Sequence, residues 1–197
     1  MKLSLLLAAA SVAFVMAAPA DAAGRVKARA AQSNAEGGRT AVAGGCARGE
    51  VGATCAARGA TTDAEGNTTA ASGRCAAGST AAGCRASTTT TGADGSASRQ
   101  SGAKVKTATG AASTSGSAER NADGSYNGQR STSASGEKGT FNADTSVSST
   151  DGVKRTATGS NDSGSVTVET AGKRGQGGSR TVTCTDAAGA VVACPSK

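Results

Sequence analysis

A chain of 197 residues with 29 glycines, one Tyr, two Phe and no Trp cannot build an ordinary globule around large side chains. Its formal charge of +7 favours anionic partners, and without any histidine the usual general base of Ser and Cys hydrolases is missing. No phosphate loop, dinucleotide fingerprint or nucleophile elbow occurs, so the expectation is a non-enzymatic protein that needs no cofactor.

At the start of the chain, Lys2 precedes an apolar run from Leu3 to Ala18 broken only by Ser4 and Ser11, and Ala20-Asp21-Ala22 follows. That order is the n-region, h-region and A-x-A site of a secretory signal, which predicts a signal peptide over 1–22. The run is shorter than the roughly 20 apolar residues of a membrane-spanning helix, and no later run is long enough to span. The expected location is periplasmic, cell-surface or extracellular. Beyond the signal the larger apolar side chains are eleven valines plus Tyr126 and Phe141. So little apolar area scarcely offsets the entropy of ordering a backbone, which makes disorder a serious alternative to any fold. Six cysteines, spaced glycines and a near absence of proline argue for order.

Residues 23–33, with Arg25, Lys27 and Arg29, read as a flexible basic segment, and a repeat region fills 34–197. Its landmark is a small residue, an acid and Gly: Ala35-Glu36-Gly37, Ala64-Glu65-Gly66, Ala93-Asp94-Gly95, Ala122-Asp123-Gly124 and Thr150-Asp151-Gly152, with a weaker copy at Gly177-Gly178. The closing glycines are 29, 29, 29, 28 and 26 residues apart, giving units near 34–62, 63–91, 92–120, 121–148, 149–174 and 175–197. A second glycine follows 12 residues after the first at Gly49, Gly78, Gly136 and Gly164, while Thr107 breaks the rule. Asp-Gly between polar alternating segments predicts tight primed turns, hence two turns and two short strands per unit. Strands are expected at 103–108, 145–149, 165–170 and 180–185, with Val166 and Val168 on one face and Thr167 opposite. The fold class is therefore an all-β repeat protein, either a β-solenoid or an elongated β-hairpin meander, with the reading leaning to the solenoid.

The cysteines form three local pairs, Cys46 with Cys55, Cys75 with Cys84, and Cys184 with Cys194. The first two pairs occupy identical places in adjacent units. Spacing alone does not choose among the possible pairings, but a separation of nine sets two residues opposite each other across a two-residue turn, so local disulfides are predicted. Zinc spacings and the C-x-x-C of redox centres are absent, and no metal site is expected.

The acids Glu36, Glu65, Asp94, Asp123 and Asp151 share one repeat position, where turn formation explains them; weak cation binding along a stacked row is the alternative. Basic residues are spread along the chain in small clusters, among them Lys104-Val105-Lys106, Lys154-Arg155 and Lys173-Arg174. Such spacing reads first as a solvated, soluble surface; attraction to anionic envelope polymers or surfaces is the alternative, and sequence-specific nucleic-acid reading is not expected with so few aromatics to stack on bases. Thr88 to Thr91, Thr107-Ala108-Thr109, Thr156-Ala157-Thr158 and Thr181-Val182-Thr183 resemble the Thr-x-Thr faces of ice-binding β-solenoids, which would imply binding to an ordered surface. Threonine is equally a good exposed strand residue. The leading expectation is an exported structural, adhesive or envelope-associated binding protein. Its rivals are a disulfide-hairpin inhibitor presenting Arg48 or Glu50, and a disordered secreted polycation.

Overall fold

The computed structural model describes residues 24–194; residues 1–23, with the signal peptide expected at 1–22, and the last three residues lie outside the described residues. All of the described strands belong to one sheet. They are β1 (Gly24–Ser33), β2 (Arg39–Gly49), β3 (Gly52–Thr62), β4 (Thr68–Gly78), β5 (Ala81–Thr91), β6 (Ala97–Thr107) and β7 (Gly110–Arg120). The series continues with β8 (Tyr126–Gly136), β9 (Gly139–Ser148), β10 (Gly152–Asn161), β11 (Gly164–Gly172), β12 (Gly178–Asp186) and the short β13 (Val191–Val192). Spatial order equals chain order, and every neighbouring pair is antiparallel. The meander is thus the architecture. A solenoid coil would stack equivalent strands of successive units in parallel, whereas here each unit is a hairpin laid beside the last.

The unit length follows from the parts. Two eleven-residue strands such as β2 and β3, the two-residue turn Glu50-Val51 and the loop 63–67 make one 29-residue unit. The landmark Ala-acid-Gly triplets lie in the longer loops, not in two-residue primed turns. In the loop 34–38, the Gly37 N–H donates to the Asn34 carbonyl and the Asn34 N–H to the Gly38 carbonyl. Only the glycine has positive φ, 87° at Gly37 and at Gly66, so the triplet closes a loop built around an ordinary turn. The second glycine landmark marks the other end of the sheet, since Gly49, Gly78 and Gly136 close β2, β4 and β8 just before two-residue turns. Residues 24–33, expected as a flexible basic segment, form β1 and pair with β2 along ten positions. The strands expected at 165–170 and 180–185 lie within β11 and β12, while those expected at 103–108 and 145–149 overlap β6 and β9 and overrun their ends by one residue each; all four observed strands start earlier than the Val and Thr patterns that mark them.

The sheet is a single layer. Among the described residues only Gly38, Ala143 and Cys184 are buried, Ala143 and Cys184 at 7% and 4% exposure. Backbone ladders and cross-strand side-chain pairs therefore carry the structure in place of a core. Hydroxyl pairs recur across the strands: Thr69 with Thr90 at 3.2 Å, Ser113 with Ser133 at 2.8 Å, and Thr158 with Thr167 at 2.9 Å. Glycines opposite bulky residues supply room for their side chains. Val105 reaches over Gly83, and Val147 over Gly128, where a Cβ would come within 3.0 and 3.3 Å of a valine methyl.

Candidate functional site

Alternation along each strand sends side chains to two faces, and residues opposite one another in the register share a face. Tracing the pairing from β1 to β12 divides the charges unequally. The face carrying Arg29, here the first face, also carries Arg25, Lys27, Arg39, Arg58, Arg74, Arg85, Arg99, Arg120, Arg130, Arg155 and Arg180. Of the chain's arginines only Arg48 and Arg174 are missing from it. Its single strand acid is Asp186, at the far end of β12. On the second face the strand charges nearly balance, Arg48, Lys104, Lys106 and Lys154 against Glu119, Asp144 and Glu169. The remaining acids sit mostly in the loops and turns.

The arginines are also concentrated within the first face. One register row runs Arg29, Ala43, Arg58, Ser72, Ser87, Ser101, Gly116, Arg130, Thr145, Arg155, Thr170, Arg180 from β1 to β12. Arg74 and Arg85 lie one row to one side and Arg99 one row to the other. This part of the face forms a trough of about 940 Å³ between β1 and β8, lined by Arg29, Arg58, Arg74, Arg85, Arg99 and Arg130 over a floor of Ala, Gly and Ser. The side chains of these arginines are exposed. Small residues opposite them let the stems lie low. Gly116 faces the Arg130 stem, which a Cβ there would approach to 3.6 Å, and the Arg130 Nε–H donates to Thr114 Oγ1 at 3.1 Å.

Arg74 and Arg85 are direct register partners. Like charges set opposite each other weaken a sheet, by roughly 0.2–1 kcal/mol for such a pair. A fold optimised only for stability would separate them; an anion lying between them removes the cost.

The residues singled out from sequence are distributed differently. Cys46–Cys55, Cys75–Cys84 and Cys184–Cys194 are disulfide-bonded, with Cα separations of 4.0, 4.0 and 5.3 Å. The first four share one register row on the second face, where Cys55 and Cys75 are themselves opposite each other. Three disulfides mark an oxidising, extracytoplasmic environment. Arg48 and Glu50 stand at the first turn, Arg48 on the second face and away from the basic trough. Thr88, Thr90, Thr156, Thr158, Thr181 and Thr183 share the second face, whereas Thr107 belongs to the first. The five landmark acids line one rim of the sheet, in loops two strands apart. Asp63, Asp94 and Asp123 there have pKa values held below the ordinary aspartate value. Hydrogen bonds from Asn67, from Ser96 and from Ser125 respectively favour the charged carboxylates. The Asp63 carboxylate accepts the Asn67 N–H at 2.7 Å, and the Asp123 carboxylate accepts the Ser125 N–H at 2.8 Å. Because the folded values are depressed, whatever these bonds contribute is present above the unfolded pKa and lost as pH falls through the folded one. Carboxyl carbon titration by NMR should place all three midpoints below that of an unstructured aspartate; midpoints at or above it would remove these loop bonds from solution.

Fold and surface together define a single-layer antiparallel repeat sheet with one arginine-rich face. No family model, no curated protein and no solved structure matches the chain.

Proposed function

We propose that the protein is exported by a signal peptide at 1–22 to the periplasm, cell surface or exterior, acts without catalysis, and binds anionic polymers on the first face of its sheet. The observation that carries this reading is the sorting of arginine: almost every one faces the same way, while lysine is spread over both faces and the turns. A sheet that needed charge only for solubility would have no reason to sort by residue type. Arginine presents a planar fork of donors that matches carboxylate, sulfate and phosphate oxygens two at a time, and it is more weakly hydrated than lysine. The role is structural or adhesive, holding envelope polymers through many weak contacts. Immobilised acidic polysaccharide should retain the oxidised protein at low salt and release it as salt rises, with a neutral polysaccharide retaining none. Equal retention on the neutral matrix would overturn the reading.

A further inference from the structure

Resting on that reading, we infer that the ligand is a linear acidic polysaccharide lying across the strands, along the register row from Arg29 to Arg180, with acidic and neutral sugars alternating where it crosses β8 to β12. The direction follows from where the arginines are. On this face a polymer running along a strand would meet three cations on β1 and at most one on any later strand. A polymer running across the strands meets an arginine on β1, β3, β4, β5, β6, β8, β10 and β12 without straying more than one row from its line. Strands are spaced by about 4.8 Å, so the eleven steps from β1 to β12 make a line of about 50 Å.

The chemistry follows from what alternates with the arginines. From β8 to β12 the row reads Arg130, Thr145, Arg155, Thr170, Arg180: cation and hydroxyl take turns, and cations recur about every 10 Å, two strand spacings. A chain bearing an anion on every second sugar puts its carboxylates or sulfates on the arginines and sugar hydroxyls on the threonines. A polymer with an anion on every unit would leave alternate charges over Thr145 and Thr170. Nucleic acid is disfavoured because Tyr126 and Phe141, although on this face, stand two rows to either side of the line and give bases no stacking platform along it.

Isothermal titration of the oxidised full chain with size-defined alternating uronate oligosaccharides tests the inference. Oligomers of about 20 Å should bind at two or more per protein, and oligomers of about 50 Å or longer at one per protein, since a chain of that length fills the line from β1 to β12. For the long oligomer, Arg155→Ser should weaken binding severalfold more than Lys154→Ser, its neighbour on the second face. More than one long oligomer per protein would mean chains lying side by side along the strands and would overturn the direction. Tighter binding of single-stranded DNA or polyphosphate of equal charge would overturn the alternating polysaccharide while leaving the basic face as the polyanion site. No binding to any of the three would overturn both this inference and the proposed function.

Discussion

Replacing Arg58, Arg74 and Arg85 together by serine should lower affinity for an acidic polysaccharide about a hundredfold, while Lys104→Ser with Lys106→Ser changes it less than about twofold. Each lost arginine removes a charge-assisted contact with a net value of about 1 kcal/mol, and three such losses amount to about two powers of ten. The slope of log affinity against log salt should fall by about 2 for the triple variant, since three fewer counterions are displaced. All five side chains stand on exposed strand positions, and the variants lose three and two positive charges, so a hundredfold against a less than twofold effect reports the face and not the charge removed. A sharper result comes from the opposed pair. Arg85→Thr should raise the stability of the free protein, because it relieves the repulsion from Arg74, and at the same time weaken polysaccharide binding. Opposite signs for stability and binding identify a group held for a ligand. If the variant were destabilised and binding unchanged, Arg85 would be a structural residue and the trough would lose its argument.

The second large effect concerns the disulfides. Removing Cys46–Cys55 with the double substitution to serine should cost about 2–3 kcal/mol, the value of closing a loop of this size, and should do so locally. The reason lies in how the apolar side chains are divided. From β2 to β5 the strands are almost wholly Ala, Gly, Thr and Arg, with Val42 the one larger aliphatic side chain. From β9 to β12 the first face gains Phe141, Val147, Val153, Val166, Val168 and Val182. Two disulfides staple the half that lacks these residues. Each strand touches only its neighbours, so the loss should stay near its site. Hydrogen exchange of the variant should accelerate in β1 to β3 and remain unchanged in β9 to β12; uniform acceleration would mean the sheet unfolds as one cooperative body.

Much of this architecture was written plainly in the chain. The glycine landmarks located most of the turns, through positive φ at Gly37, Gly66, Gly95 and Gly124 and close backbone approach at Gly78 and Gly136, and the separation of nine located Cys46–Cys55 and Cys75–Cys84 because a two-residue turn fixes which residues are opposite. Strand direction was less legible. A 29-residue period suits a coil and a hairpin equally, and the leaning toward a solenoid had no residue to decide it. Scarcity of Val and Phe made disorder a rival, since such a threshold measures a core, and this sheet substitutes ladders and hydroxyl pairs for one. The basic face was missed for a different reason. Read along the chain, Arg58, Arg74, Arg85 and Arg99 look scattered. Counted from the landmark glycines Gly37, Gly66, Gly95 and Gly124, arginines of the first strand fall at even offsets and those of the second at odd offsets, as in Arg74 and Arg85 after Gly66; Arg48 departs from this and is on the other face, and Arg155, after the shorter loop at Gly152, falls at an odd offset although it is on the first face. That signal exists in the sequence, but only once each turn is placed to within one residue, because a single-residue slip reverses the face.

A sheet in which each hairpin leans only on the one before it has no preferred number of strands. Copying one unit of DNA would lengthen the molecule by two strand spacings, about 10 Å, and extend its charged side in phase, with nothing elsewhere obliged to repack. Reach would then be a heritable quantity, adjusted by recombination between repeats and, for the polymer proposed for this face, matched to its length.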